Sequence, residues 1–203
     1  MRKGEETRGR ILDAAEEAVL AKGFGATSIE ELIAVTGITK SGFFYHFRDK
    51  TELAKALMQR YIEDDEQVFD DVFGRARELM EDPLQSFLVG LKLLAERLSD
   101  LPNGHPGCLI ATSCYNEQLF DKAIQDINRG AVLIWRKRFR GMFEEIMAVH
   151  EPREQIDVDQ LADMVSTVLE GGIVMSKALK EPAVLAEQIL VFRGFVKLLF
   201  ERR

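Results

Sequence analysis

The sequence is short of several things at once. It holds only two cysteines, Cys108 and Cys114, which excludes a disulfide framework. On one helix their six-residue separation would set the backbones about 9 Å apart, beyond the reach of a disulfide. Its five prolines are confined to Pro83, Pro102, Pro106, Pro152 and Pro182. The longest apolar run is Ala131–Trp135, against the roughly 18 residues that a bilayer-crossing helix requires. The N-terminus is charged and lacks the apolar stretch of a secretory signal, so the expected setting is the cytoplasm. Val, Ile and Thr form no alternating run of strand length, and no short repeat or low-complexity tract occurs. Catalytic signatures are missing too. There is no Gly-x-Ser-x-Gly elbow, no phosphate loop and no His-Glu-x-x-His, and His46, His105 and His150 are scattered without metal-ligand spacing. The expectation is a protein that is not an enzyme, with no cofactor and no metal site.

What remains is ordinary globular material, 46% hydrophobic and 30% charged, which excludes a disordered chain. The net charge of −7 argues against a protein that coats nucleic acid. Its distribution is uneven. Residues 1–50 balance eight basic against eight acidic side chains, so the whole excess of negative charge lies in residues 51–203. Within the first part, Thr39–Lys50 carries Lys40, Arg48 and Lys50 against Asp49 alone. A small basic element on an acidic body can meet phosphates at one place.

Punctuation and periodicity predict an all-α chain of about nine helices. The first covers roughly Thr7–Lys22, with Ile11, Ala15, Ala18 and Val19 on one face and Gly23 as the stop. Ser28-x-x-Glu31 reads as a capping box opening a short second helix, which ends near Val35. The third runs from Thr39 to near His46, and Asp49-x-x-Glu52 opens a fourth that continues to about Gly74. Asp82 with Pro83 starts another, and Leu101–Gly107 is the clearest loop. A short helix from Cys108, a long one from about Asp121 to Val149, one capped by Asp157 and a last one after Pro182 complete the chain. The expected division is a domain at 1–50 and a larger one at 51–203.

The second and third helices have helix-turn-helix spacing. Leu32, Ile33, Ile38 and Phe43 would lock them together, Ala34 would be small at their crossing, and Gly37 suits a left-handed turn. From spacing alone, an ordinary αα-hairpin stays open beside a DNA-reading element. The run Thr39-Lys-Ser-Gly-Phe-Phe-Tyr-His-Phe-Arg-Asp-Lys-Thr-Glu-Leu53 resembles the recognition-helix signature of the TetR/AcrR family of transcriptional repressors, and the resemblance extends over Thr7–Lys55. It implies an N-terminal three-helix DNA-binding domain, a larger helical domain for ligand binding and dimerisation, and release from a double-stranded operator when a small-molecule effector binds. The DNA-facing positions it implies are Thr27 and Ser28 at a helix N-terminus, Thr39, Lys40, Ser41 and Gly42 at the leading end of the recognition helix, and Phe44, Tyr45, His46 and Lys50 along the backbone. Phe44 stands where the family often has Tyr, and so lacks a phenolic donor. The rival reading is a helical interaction module that keeps the shape without reading DNA.

In the C-terminal body two stripes repeat at 3–4 spacing: Leu161, Val165, Val168, Gly172, Met175 and Leu179, then Leu185, Ile189, Phe192, Val196 and Leu199. One copy could bury them internally. The resemblance favours a homodimer interface through Leu161, Val165, Val168, Gly172, Met175, Leu185, Ile189, Phe192 and Val196. It also places an effector pocket among the middle helices, for which Phe69, Phe73, Phe87, Cys108, Tyr115, Trp135, Met142 and Met175 are candidates, each equally a core residue. Cys108 opens a helix after a Pro/Gly loop, which favours thiolate, and Lys177 is a candidate neighbour. An inert buried cysteine is the plainer alternative.

Overall fold

The computed structural model describes residues 3–200. Among them there are nine α-helices and no strand: α1 (Lys3–Lys22), α2 (Ile29–Thr36), α3 (Lys40–His46), α4 (Lys50–Leu79), α5 (Pro83–Ser99), α6 (Leu109–Tyr115), α7 (Lys122–Met147), α8 (Val158–Leu179) and α9 (Ala183–Phe200), with one 3-10 turn at Glu117–Leu119. The expected punctuation is visible atom by atom. Ser28, Thr39 and Asp82 each accept the amide of the residue three positions on, and Asp157 accepts from Asp159 and Gln160, so orphan donors at four helix starts are satisfied. Gly37 closes α2 at φ 66°, a left-handed position that costs glycine nothing. Two boundaries differ from expectation: α1 begins before Thr7 and α4 runs beyond Gly74 to Leu79. An isolated glycine inside a helix costs about 1 kcal/mol relative to alanine without ending it, so α1 takes in Gly4 and Gly9 and α4 passes through Gly74.

The chain forms two compact units. One comprises residues 1–64 and 108–131, the other 65–107 and 132–203, so packing divides the chain elsewhere than at residue 50. In the first unit α1 buries Ile11, Leu12, Ala15 and Val19, while α2 and α3 contribute Leu32 and Phe43 and the start of α4 contributes Leu53 and Leu57. Ala34 is exposed and so is not buried between the helices; the buried residues are Leu32 on α2 and Phe43 on α3. Arg60 of α4 grips Asp13 and Glu16 of α1 at 2.6 and 2.7 Å. The capping box at Ser28 is half formed, because the Glu31 carboxylate turns instead to Lys22 at the end of α1.

In the second unit five phenylalanines form one cluster. Phe69, Phe73, Phe87, Phe139 and Phe143 meet at centroid distances of 4.8–6.4 Å in mostly tilted and edge-on geometries. α9 packs against both α5 and α8. Gly172 sets the α8–α9 approach: a Cβ there would lie 2.7 Å from Leu185 Cδ1 and 3.2 Å from Leu185 Cα.

The expected dimer stripes are mostly spent on this packing. Leu161, Val165, Gly172, Leu185, Ile189, Phe192 and Val196 are buried within the single chain, so they cannot line an interface between chains. Val168 is half-buried and Met175 is 49% exposed. The large apolar side chains left open on α8 and α9 are Val174, Met175, Leu179, Leu190, Val191 and Leu198, of which only Met175 and Leu179 belong to the expected stripes. Both helices carry large apolar side chains in solvent as well as in the core. Spacing therefore finds two seams, and only packing says which one is internal.

Candidate nucleic-acid interface

The recognition element stands out of the first unit because its inner face is small and fully used. Phe43 and Phe47 are buried, in ring contact at 5.8 Å, and they anchor α3 from one side. Every other side chain from Thr39 to Tyr45 except half-buried Gly42 faces outward: Thr39, Lys40 and Ser41 are exposed, Phe44 is 42% exposed and Tyr45 is 82% exposed. An 82% exposed tyrosine contributes almost nothing to the core, so burial does not account for it.

The leading end of α3 is rigidly built. Thr39 Oγ1 accepts the Gly42 amide at 3.0 Å and lies 3.1 Å from Ser41 Oγ. A Cβ on Gly42 would approach Thr39 Oγ1 to 3.2 Å, so glycine keeps that cap intact. Lys40 projects beside it with its side chain in solvent. Phe44 leans edge-on against Phe43 at 5.5 Å and keeps part of its ring outside, which makes it a van der Waals contact surface. His46 is half-buried, edge-on to Tyr45 at 5.0 Å and close to Gly4. The first turns of α1 thus lie against the end of α3.

Two expected contacts are placed differently. Thr27 is only 2% exposed, and its hydroxyl donates to the Gly23 carbonyl at 3.0 Å, so it braces the α1–α2 link and offers no hydroxyl to solvent. Ser28 beside it is exposed. Lys50 also turns inward. Its ammonium donates to the Phe24 carbonyl at 2.7 Å and sits 4.6 Å from the Phe24 ring centroid, and burial lowers its pKa. A lysine held on a carbonyl and over a ring is a brace between α4 and the α1–α2 link.

Two further cations lie near α3, Arg48 of the basic Thr39–Lys50 element and Arg8, which local sequence does not point to. Arg48 follows α3 directly and its side chain is 85% exposed beside Asp49. Arg8 of α1 lies over the Phe47 ring, 5.1 Å from its centroid. The signal for Arg48 was its place one residue past the aromatic run. Arg8 had none, because only the fold brings α1 to Phe47.

Three of the pocket candidates border one cavity. Phe73, Phe87 and Met142 line a cavity of about 270 Å³ in the second unit. Phe69 is a neighbouring core residue. Tyr115 is 82% exposed and Met175 is 49% exposed on α8. Trp135 is half-buried, with its indole nitrogen covered and unpaired. Cys108 belongs to the first unit, where it caps α6: its Sγ accepts the Ala111 amide at 3.4 Å. In the second unit the Lys177 ammonium donates to the Pro106 carbonyl. Burial and the Lys177 charge push the pKa of His105 down to about 4, which keeps it neutral. Among the described residues no cluster could hold a metal ion, and no helix is long and apolar enough to cross a membrane.

Comparison with known proteins agrees with this geometry. Residues 11–57 match the family described as bacterial regulatory proteins, tetR family. The chain is 31% identical over 99 residues to the probable HTH-type transcriptional regulator ArpR of Pseudomonas putida, a match covering 49% of this chain and 44% of that protein. It is 23% identical over 177 residues to the transcriptional regulator AcuR of Cereibacter sphaeroides, covering 82% and 74%. The chain thus spans under half the length of the first of these relatives. A TetR transcriptional regulator from Chloroflexus aurantiacus superposes over 98% of both chains with a TM-score of 0.82 at 22% identity, and a TetR-family regulator from Agrobacterium tumefaciens over 98% and 100% with 0.81 at 16%. The N-terminal segment is thus similar to that of tetR-family transcriptional regulators, and the all-helical fold is the one that solved structures of such regulators share.

Proposed function

We propose that the protein is a homodimeric repressor that reads a near-palindromic operator through α3 and leaves it when a small molecule binds. The observation that carries the reading is the outward face of α3, where Thr39, Lys40, Ser41, Phe44 and Tyr45 stand in solvent on a buried Phe43–Phe47 anchor. Lys40 and the Thr39 and Ser41 hydroxyls meet base edges or phosphates at the leading end, and half-buried Gly42 allows close approach. Ser28, Tyr45, His46 and Arg48 meet the sugar–phosphate backbone, which fixes register. Lys50 and Thr27 act indirectly, by holding the elements that carry those groups.

The second copy packs on the open face of α8 and α9, where Val168, Gly171, Met175, Val191, Gly194 and Leu198 follow 3–4 spacing. Gly171 and Gly194 support this choice. A Cβ at either would meet nothing within 4 Å in the single chain, yet glycine inside a helix costs about 1 kcal/mol relative to alanine. A neighbouring helix from a second copy gives those glycines a purpose. Two recognition helices related by a two-fold axis would read half-sites about 34 Å apart. Effector binding acts by differential affinity for two states of the chain. α4, one 30-residue helix that supplies residues to both units, is the element to carry the change.

Fluorescence anisotropy with DNA from upstream of the protein's own gene tests the reading. Specific binding that weakens steeply with salt is expected, with Lys40→Ala lowering both affinity and salt slope. Absence of specific binding at low salt would instead leave a helical interaction module. Sedimentation tests the interface: Val191→Glu should yield monomers, and a persistent dimer refutes the α8–α9 face.

A further inference from the structure

The cavity in the second unit carries an inference about ligand chemistry. Its walls come from the end of α4, the α4–α5 link that carries Met80 and Glu81, the start of α5 and the second half of α7, and Phe73, Phe87, Met80 and Met142 supply most of its apolar part. Phe73 and Phe87 stack at 5.7 Å with their planes 21° apart. The Phe73 ring is placed by Gly90, since a Cβ there would fall 2.4 Å from Phe73 Cδ1. Ring faces and thioether sulfurs are electron-rich, and they attract cations and polarisable groups.

The charged groups at the cavity point the same way. Arg77 is already matched, because its Nη2 donates to both carboxylate oxygens of Glu145 at 3.0 and 3.1 Å. That leaves Glu81, an exposed carboxylate with no cation paired to it among the described residues. The lining therefore has a net charge of −1. An anionic ligand would have to displace Glu145 from Arg77 and would meet Glu81 as well. A cation meets Glu81 and the aromatic wall without breaking any pair. At native packing density, about 0.74, the 270 Å³ cavity accepts about 200 Å³ of van der Waals volume, one aromatic ring with a compact substituent.

We infer that this cavity binds small organic cations built on an apolar or aromatic body, with the charged group directed to Glu81 and the body held by Phe73, Phe87, Met80 and Met142. The binding claim stands on the cavity alone. Only the claim that such a ligand releases DNA rests on the repressor reading above.

The test is calorimetric titration of the full chain with benzyltrimethylammonium, its neutral carbon isostere neopentylbenzene, and phenylacetate. The cation should bind at least tenfold more tightly than the neutral compound and more tightly still than the anion. Glu81→Gln, a surface change that leaves the core alone, should raise its Kd about fivefold, and Met142→Trp should abolish binding by filling the space. Equal or tighter binding of neopentylbenzene or phenylacetate overturns the inference. So does an unchanged Kd in Glu81→Gln, or no binding of the cation at all. A mobility shift with operator DNA separates the two claims. Cation binding that leaves DNA affinity unchanged supports the cavity and overturns effector release. Failure to bind in a protein that holds its operator overturns the cavity and leaves the repressor reading standing.

Discussion

The recognition element around α3 and the α8–α9 pair both declare themselves by apolar spacing, yet the structure treats them differently. α3 is seven residues long and has one apolar side, so Phe43 and Phe47 have only one way to be buried. α8 and α9 are 22 and 18 residues long and apolar on two sides, one of which packs within the chain while the other stays open. A helix with a single apolar stripe reports its own orientation. A helix with two needs its neighbours to decide.

The sharpest way to break that comparison is to remove the single anchor. Phe43→Ala empties a fully buried site and should cost about 3–5 kcal/mol, read as a drop in the denaturant midpoint. Leu198→Ala, on the open face of α9, should cost under about 0.5 kcal/mol in the dilute single chain. If the two changes cost alike, Leu198 is covered and the assignment of the open seam is wrong.

The adjacent glycines of α8 give the next largest contrast. Gly172→Ala drives a methyl into Leu185 and should destabilise by about 1–3 kcal/mol. Gly171→Ala meets nothing and should stabilise an isolated chain by about 1 kcal/mol. It should also weaken self-association, read by sedimentation, if a second copy packs there. Equal effects of the two substitutions would remove the distinction between the inner and outer seams.

A smaller effect tests the cap of α3. Thr39→Ala deletes the acceptor of the Gly42 amide and should cost about 1 kcal/mol. Tyr45→Ala should leave stability within about 0.5 kcal/mol, because the ring is in solvent, while DNA affinity falls. A loss of stability matching the loss of affinity would make Tyr45 structural.

The pH dependence of the second unit provides the finest probe. His105 has a folded pKa of about 4 against an ordinary value of 6.5, so the unfolded chain binds its proton more readily. The neutral histidine's contribution is complete above pH 6.5 and declines as pH falls from there toward 4. His105→Gln should remove that segment of a melting-temperature profile. A profile unchanged by the substitution would show that His105 is solvated.

Local chemistry made much of the fold legible. Ser28, Thr39, Asp82 and Asp157 are caps because a short oxygen-bearing side chain reaches an amide two or three residues away, which needs no tertiary partner. Gly37 is a left-handed stop for an equally local reason. The exposed row from Thr39 to Tyr45 could be read because Phe43 and Phe47 fix which side of a short helix faces inward. The same reasoning misplaced Lys50 and Thr27, whose roles depend on the Phe24 and Gly23 carbonyls that folding brings near them.

What the sequence determined alone was therefore the all-helical architecture, its caps and turns, and the outward face of α3, since each follows from contacts within a few residues. Tertiary structure decided which seam of α8 and α9 is internal, which cations remain in solvent beside α3, and that Phe73, Phe87 and Met142 border one cavity while Tyr115 does not. Those outcomes depend on groups far apart in the chain competing for the same contacts, and only the folded arrangement settles which of them meet.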